Sequence, residues 1–314
     1  MGGIEVSIVI PVYNERENLP EMVRRTLSTC RSMKRSFEII FVDDGSKDGS
    51  REILHDVSHE SPEIKTLVLN RNYGQHAAIF AGFEQSKGNI VITLDADLQN
   101  PPEEIPNLMQ EIEKGFDVVG TVRQNRQDSW FRRKVSALAN KVAQRTTGVM
   151  MHDFGCMLRA YRRSVVDAML RCEEHSLFIP VLANSFAGST SEIPVKHSAR
   201  VLGDSKYGIL KLISYQFDLL TSTSTFHLRL LSLFGMFFSA LGVLLAVLRI
   251  ALGALWDVAG VFTLLSILSI FIGAQFIGLG FLGEYIERIY HDVRNRPRFL
   301  VKEIYDFGRS DPEK

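Results

Sequence analysis

The sequence IVITLDADLQ at residues 90–99 is an unbroken apolar run that ends in two aspartates. A short run without a polar face is typical of a strand that is covered on both sides, as in the parallel sheets of α/β proteins. Similar runs occur at Val6–Val12, Phe37–Val42 and Ile64–Leu69, and another begins at Val118. Segments with helical periodicity separate these runs. The pattern predicts an α/β fold with a mostly parallel sheet covered by helices on both faces.

The segments between the runs give the expected helices. Helical periodicity covers Leu19–Cys30, Arg51–His59, His76–Gln85 and Glu103–Lys114. The last of these follows a pair of prolines, which is a common start signal for a helix. We predict that this α/β domain occupies residues 1–206.

Polar residues follow four of the predicted strands at the point where each strand ends. They are Pro11–Glu15, Asp43–Ser46, Asn70–Gly74 and Asp95–Gln99. In open parallel sheets, ligands bind beyond the carboxyl ends of the strands. The sequence therefore predicts that carboxylates and amides collect at one edge of the sheet and form a binding site there.

Asp95 and Asp97 are the clearest candidates for chemistry at this edge. They are two residues apart, so they share a face if the chain stays extended, whereas a turn would rearrange them. Mg²⁺ and Mn²⁺ are commonly held by one or two carboxylates together with substrate phosphates. The pair therefore predicts a divalent-metal site, and the alternative is a capped turn whose acids are solvated.

Several common classes of site are absent from the sequence. It has neither of the two usual glycine-rich phosphate loops and no Gly-x-Ser-x-Gly nucleophile motif, which disfavours NAD enzymes, P-loop ATPases and serine hydrolases. Acidic and basic residues balance at 36 each, so the charge gives no reason to expect nucleic acid as a partner. The three scattered cysteines predict no disulfide framework. Cys172 and His175 have the spacing of zinc ligands, but no second pair accompanies them.

Basic residues form a second group. They comprise a cluster around Trp130 and Phe131 and a later pair, namely Arg123, Arg126, Arg132, Arg133, Lys134, Arg200 and Lys206. Arginine and lysine are suited to binding phosphate. The group therefore predicts contact with an anionic lipid head group, and the alternative is nonspecific attraction to anionic lipids.

Two long apolar runs follow the α/β domain. Residues 230–252 contain one charged residue, Arg249, and residues 258–282 contain none. Each run is long enough to cross a bilayer as a helix. We predict a transmembrane hairpin over residues 229–284, and the flanking arginines and lysines place both of its ends in the cytoplasm.

The segments beside the hairpin complete the predicted organisation. Residues 207–228 are predicted to form an amphipathic helix in the membrane interface, and the alternative is a helix packed on the α/β domain. Residues 285–314 are expected to be a cytoplasmic tail. No signal peptide is expected at the N-terminus, because the first residues lead directly into a strand.

Four motifs together resemble family-2 glycosyltransferases of the polyprenyl-phosphate type. They are VIPVYNE (9–15), VDDGS (42–46), DADLQ (95–99) and GDSKY (203–207). The resemblance implies a GT-A type nucleotide-sugar-binding domain, a UDP-sugar donor, a polyprenyl phosphate acceptor and a divalent cation, Mn²⁺ or Mg²⁺. It also suggests a homotetramer.

Four further motifs are similar to one branch of this family. They are NRNYGQH (70–76), LQNPPEEIP (98–106), TVRQNRQDSWF (121–131) and GCMLRAY (155–161). In that branch, 4-deoxy-4-formamido-L-arabinose is transferred to undecaprenyl phosphate at the bacterial inner membrane, for lipid A modification and polymyxin resistance. The implied reaction is an inverting transfer from UDP.

The resemblance also implies roles for individual residues. Asp97, with Gln99 close by, would hold the metal on the UDP diphosphate, and Asp95 would lie beside the ribose or the outer shell of the metal. Together with Asp153, an acid near the sugar, these two aspartates are the expected catalytic residues. The uridine pocket would be lined by Pro11, Tyr13, Glu15 and Asp44. The acceptor phosphate would be bound by Arg123, Arg126, Arg200 and Lys206.

Two other functions remain open at this point. Transfer of glucose or another UDP-sugar to the same lipid uses the same core motifs. A non-catalytic nucleotide-binding protein tethered to the membrane would have the same fold and anchor, although it would not need the basic cluster as well as the acidic pair. A small transporter is disfavoured, because one hairpin lacks the internal repeats common in such folds.

Overall fold

The computed structural model describes residues 3–124, 156–172, 178–196 and 297–308, together with single helical residues between 264 and 289. The chain divides into two compact units. The first consists of residues 1–212 and 297–314, and the second of residues 213–296.

The described part of the first unit is built on an eight-stranded sheet. In chain order the strands are β1 (Val6–Val12), β2 (Phe37–Asp43), β3 (Ile64–Leu69), β4 (Ile90–Thr93), β5 (Val118–Gln124), β6 (Arg159–Arg162), β7 (Thr190–Lys196) and β8 (Val301–Asp306). Across the sheet they follow the order β7-β5-β6-β4-β1-β2-β3-β8. The central pairs β4–β1, β1–β2 and β2–β3 are parallel, which confirms the predicted mostly parallel sheet.

Six α-helices flank the sheet in the described residues. They are α1 (Leu19–Ser32), α2 (Ser50–Glu60), α3 (Gln75–Gln85), α4 (Ile105–Glu113), α5 (Arg163–Arg171) and α6 (Ile179–Phe186). A short 3₁₀ turn, Pro102–Glu104, leads into α4. The first four helices and the first five strands lie within a few residues of the positions that the sequence predicts.

The sheet separates two hydrophobic cores. Ile8 and Ile10 of β1 belong to the core that also contains buried residues of α1, α2 and α4. Val9 belongs to the core on the opposite face, with buried residues of α3, α5 and α6. Successive side chains of a strand point to opposite faces, so an apolar strand supplies both cores at once. This explains why the run at β1 has no polar alternation.

The chain direction reverses at β1. From β1 the chain moves outward through β2 and β3, whereas β4 pairs with the opposite side of β1. Such a switch point opens a crevice at the carboxyl ends of the strands, where ligands bind in open α/β sheets. The loops after β1, β2 and β4 therefore meet at one place.

Strand β8 is an element that the sequence analysis does not anticipate. Residues 285–314 are predicted to be a tail, yet Val301–Asp306 pairs antiparallel with β3 and forms the edge of the sheet. Its sequence, VKEIYD, mixes charged and apolar residues, as suits a strand with one exposed side. The tail prediction is thus incomplete, because part of this segment belongs to the sheet.

The second unit is described only at single positions. Leu264, Leu268, Leu279 and Leu282 are helical and have exposed side chains. Within the described residues, no helix combines the length and the apolar character needed to cross a membrane. The interface helix predicted at 207–228 lies outside the described residues, as does most of the hairpin predicted at 229–284, and both stay predictions.

Candidate functional site

The loop after β4 leaves both of its acidic side chains partly exposed. Exposure alternates along it: Asp95, Asp97 and Gln99 are partly exposed, whereas Ala96 and Leu98 are buried. The chain turns at Ala96 and Asp97 rather than staying extended, so the shared face expected of Asp95 and Asp97 stays a prediction. The backbone N–H of Gln99 donates to Oδ1 of Asp97 over 3.1 Å, which fixes that carboxylate at the turn.

Leu98 gives this turn an uncommon backbone. Its φ is +59°, in the left-handed region that a bulky side chain rarely adopts. Burial of the Leu98 side chain in the core beneath the sheet edge stabilises this conformation. Strained residues of this kind are concentrated at functional sites, which supports a role for this turn in binding.

Asp95 is held by a residue that the sequence analysis does not single out. Nε2 of Gln75, the first residue of α3, donates to Oδ1 of Asp95 over 2.6 Å. The position of Gln75 at the start of a helix behind a strand end is the only sequence signal for this contact. The contact links the loop after β3 to the loop after β4.

The loops after β1 and β2 hold each other through hydrogen bonds. The backbone N–H of Asn14 donates to Oγ of Ser46 over 3.0 Å, and Oδ1 of Asn14 accepts from the backbone N–H of Lys47 over 2.9 Å. Asn14 has a φ of +54°, which asparagine tolerates better than most residues. These hydrogen bonds hold the loops after β1 and β2 against each other at the switch point.

Asp44 connects the loop after β2 to the loop after β3. The carboxylate is buried and accepts from the backbone N–H groups of Tyr73, over 2.7 Å, and Gly74, over 2.9 Å. Burial raises the pKa of Asp44, and the two backbone hydrogen bonds oppose that rise. Each oxygen retains a lone pair, so the uridine contact expected of Asp44 stays a prediction.

The other residues predicted for the uridine pocket follow β1. Pro11 is partly exposed within the strand, and Tyr13 is 44% exposed just beyond it. Oε2 of Glu15 accepts from Nδ2 of Asn18 over 2.6 Å, which ties this side chain to the residue before α1. The structure therefore brings Pro11, Tyr13 and Glu15 to the same sheet edge as Asp44.

Arg71 and Tyr73 form a further feature of this edge. The Arg71 guanidinium lies 4.7 Å from the centre of the Tyr73 ring. Arg71 is exposed, so its charge faces solvent at the loop that Asp44 holds. The sequence analysis places both residues at a strand end but does not predict their stacking, which depends on the conformation of the loop.

The donor atoms at Asp97 fit a divalent cation. Within the described residues, Gln99 N–H is the only hydrogen-bond or ion-pair partner of the Asp97 carboxylate, and Oδ2 is left for a ligand. The described residues contain no group of three acidic, histidine or cysteine side chains that would hold a metal by themselves. Asp97 therefore suits a cation that also takes oxygen ligands from a bound diphosphate.

Several predicted site residues lie wholly or partly outside the described residues. Arg123 belongs to β5, but its side chain is outside the described part. The remaining residues predicted for the acceptor and the sugar also lie outside the described residues, namely Arg126, Asp153, Arg200 and Lys206. Their roles stay predictions.

His76, the second residue of α3, is a polar group near the site that the sequence analysis does not interpret. The residue is partly exposed, but its Nδ1 is buried and has no hydrogen-bond partner among the described residues. The ring packs edge-on against Phe178, with 5.2 Å between centroids. Burial lowers the pKa of His76 from 6.5 to about 4. The imidazole is thus neutral at physiological pH.

We expect His76 to make the protein less stable in acid. Between the folded pKa of about 4 and the unfolded pKa of 6.5, the unfolded chain binds a proton that the folded chain does not. The free energy of unfolding should therefore fall as pH decreases through this window, by up to about 3 kcal/mol. His76→Gln should flatten the dependence in chemical denaturation measured from pH 7.5 to 4.5. His59→Gln, a histidine of α2, is the control, and equal slopes in His76→Gln and wild type would contradict the expectation.

Comparison with known proteins agrees with this architecture. Residues 7–170 match the family described as Glycosyl transferase family 2. A solved structure of glucosyl-3-phosphoglycerate synthase from Mycobacterium tuberculosis, in complex with Mn²⁺ and UDP-glucose, is similar with a TM-score of 0.51 and 16% identity, over 69% of this chain and 77% of that one. At this identity the likeness concerns the fold alone, which is of the GT-A type.

Two curated relatives are similar over nearly their whole length, and both are named undecaprenyl-phosphate 4-deoxy-4-formamido-L-arabinose transferase. The protein from Edwardsiella ictaluri is 56% identical, over 98% of this chain and 96% of the relative. The protein from Salmonella choleraesuis is 57% identical, over 96% and 93% respectively. The chain described here therefore belongs to glycosyl transferase family 2 and, within it, to the undecaprenyl-phosphate 4-deoxy-4-formamido-L-arabinose transferases.

Proposed function

We propose that this protein is an inverting glycosyltransferase that moves 4-deoxy-4-formamido-L-arabinose from UDP to undecaprenyl phosphate. The observation that carries the proposal is the identity of 56% over 98% of the chain with a transferase of that name. The acidic loops at the switch point of the sheet supply a suitable site. In a bacterium, the product would serve lipid A modification and polymyxin resistance.

The donor would bind at the loops after β1, β2 and β4. Asp97, with Gln99 beside it, would hold a Mn²⁺ or Mg²⁺ ion on the diphosphate, and Asp95 would lie next to the ribose or the outer shell of the ion. When bound, the ion neutralises negative charge on the leaving UDP. Tyr13, which is 44% exposed after β1, offers a ring face for the uracil.

The acceptor needs little activation for this reaction. The second pKa of a phosphate monoester is about 6, so undecaprenyl phosphate is largely a dianion at neutral pH. One of its oxygens forms the new bond to the anomeric carbon, while the bond from that carbon to the UDP oxygen breaks and its electron pair leaves with UDP. A single displacement of this kind inverts the anomeric centre. Asp153 would then orient the acceptor rather than remove a proton.

The acceptor site would combine basic residues with the membrane. Arg123, Arg126, Arg200 and Lys206 would bind the lipid phosphate, because guanidinium and ammonium groups form strong charge-assisted hydrogen bonds to phosphate. We propose that the hairpin at 229–284 and the interface helix at 207–228 hold the catalytic domain on the cytoplasmic face of the inner membrane. The protein would act as a homotetramer.

A donor panel tests the proposed reaction. The full chain is purified in mild detergent with undecaprenyl phosphate and Mn²⁺, and UDP release and the lipid product are measured by mass spectrometry. We expect UDP-4-deoxy-4-formamido-L-arabinose to be used at least about tenfold faster than UDP-glucose. A difference in a few contacts between the sugar and its pocket commonly gives discrimination of at least that size. Omission of the lipid is the control for hydrolysis of the donor.

The possible outcomes separate the alternatives. A preference for UDP-glucose or another UDP-sugar would keep the mechanism but overturn the assigned sugar and pathway. Nucleotide binding without lipid-dependent UDP release would instead indicate a non-catalytic nucleotide-binding protein.

A further inference from the structure

The chain re-enters the first unit at Pro297, after the segment 213–296 that forms the second unit. The next residue, Arg298, contacts two elements of the first unit. Its guanidinium lies 4.2 Å from the centre of the Phe80 ring of α3, and its Nη2 donates to the backbone carbonyl of Cys172, directly after α5. Arg298 therefore fixes the returning chain against two helices at once.

The Arg298 guanidinium loses part of its hydration when this contact forms, so other groups must stabilise its charge. The Arg298 side chain is partly buried, and this burial lowers the pKa of Arg298, while the nearby charge of Glu84 in α3 opposes the effect. A partly buried cation persists where an aromatic face and a hydrogen-bond acceptor replace its lost hydration. Phe80 and the Cys172 carbonyl provide these two groups, so the pocket fits a planar guanidinium in particular.

The residues after Arg298 reach the donor-site loops. The backbone carbonyl of Leu300 accepts from the backbone N–H of Asn70 over 3.1 Å, and Val301 then begins the pairing of β8 with β3. Phe299 packs against the hydrophobic core that contains α3. The returning chain thus holds the end of β3 at the residue where the loop 70–74 starts.

That loop supports two carboxylates of the site. Its Tyr73 and Gly74 donate backbone N–H groups to Asp44. Directly after it, Gln75 donates to Asp95 from the first turn of α3, the helix that carries Phe80. Movement of the end of β3 or of α3 would therefore shift both Asp44 and Asp95.

We propose that Arg298 is a positioning residue for the donor site. By holding the chain that returns from residues 213–296 against α3 and the loop 70–74, it makes tight binding of the nucleotide-sugar depend on docking of the C-terminal strand β8. The inference rests on the proposed function for the identity of the donor, but not for the contacts themselves.

Steady-state kinetics on the full chain in detergent test the proposal. Arg298→Ala should raise the KM for the UDP-sugar about tenfold, because a lost cation–π contact and hydrogen bond loosen the loop. The KM for undecaprenyl phosphate should stay within twofold of wild type. Arg298→Lys keeps the charge but loses the planar guanidinium. Its KM for the UDP-sugar should therefore lie between that of wild type and that of Arg298→Ala. A structural role alone would lower the melting temperature without this split between the two KM values.

The matched control is Lys302→Ala in β8. Lys302 carries the same charge and lies four residues further along the chain, but it pairs with Glu303, at 3.0 Å, and is about half exposed. Its donor KM should equal that of wild type. A donor KM for Arg298→Ala within twofold of the Lys302→Ala value would overturn the proposal.

A second variant and a binding measurement complete the test. Phe80→Leu removes the ring under the guanidinium while retaining apolar volume, and it replaces Arg298→Ala if that variant does not fold. Calorimetric binding of UDP with Mn²⁺ gives a readout that needs no turnover. Absence of lipid-dependent UDP release in the wild type would overturn the proposed function, whereas unchanged UDP affinity in both variants would overturn the role of Arg298.

Discussion

Asp97→Asn is expected to lower the turnover number by about a thousandfold, since charge stabilisation at a leaving group commonly contributes that much to catalysis. The substitution keeps the size of the side chain and the acceptor oxygen for the Gln99 N–H, so the turn after β4 should fold normally. It also removes the negative charge of the Asp97 carboxylate, whose Oδ2 is the oxygen proposed to bind the cation. We therefore expect the loss in turnover rather than in protein yield.

Lipid-dependent UDP release, measured across a Mn²⁺ titration, checks this expectation. Asp56→Asn is the matched control, because the Asp56 side chain is 73% exposed on α2 and pairs with His55. Both variants should melt within a few degrees of wild type. Wild-type turnover of Asp97→Asn with an unchanged Mn²⁺ dependence would remove Asp97 from the metal site, whereas rescue only at higher Mn²⁺ than wild type needs would show that its role is affinity for the ion.

The sequence predicts the central strands well because they are buried on both faces. β1, for example, has a single partly exposed residue, Pro11, so its apolar run marks the strand without ambiguity. β7 and β8 are harder to predict, since they lie at the two edges of the sheet and carry charged residues. β6 is short, and its Arg159 is fully buried in the sheet, which the local sequence does not indicate.

At the site, too, residues that follow a strand end can be predicted from the local sequence, whereas contacts between loops of different strands cannot. Asp95 and Asp97 follow directly from a strand end and the rule for parallel sheets. The bond from Gln75 to Asp95 and the bonds from Tyr73 and Gly74 to Asp44 join loops that follow different strands. Such contacts depend on the order of strands in the sheet, which periodicity does not determine. For the same reason the sequence does not predict that residues after Arg298 reach this loop.

Gly45→Ala is expected to reduce both stability and nucleotide binding. Gly45 has a φ of +73°, and an added Cβ would lie 2.7 Å from the carbonyl carbon of Arg71 and 2.8 Å from the backbone nitrogen of Asn72. A left-handed backbone at a residue with a side chain costs about 1–2 kcal/mol, and a forced overlap with backbone adds about 1–3 kcal/mol. We therefore expect the free energy of unfolding to fall by about 4 kcal/mol.

Gly308→Ala separates the two causes. Gly308 has the same φ of +73°, but nothing lies within 4 Å of an added Cβ. Its variant should lose only the left-handed backbone contribution, about 1–2 kcal/mol in urea denaturation, and should bind UDP with Mn²⁺ as tightly as wild type. In Gly45→Ala the loop 70–74 must move away from Asp44, so calorimetry should show weaker UDP binding even under conditions where the variant is folded. Equal losses of stability in the two variants, with UDP affinity unchanged, would mean that the loops after β2 and β3 do not need their close approach to form the donor site.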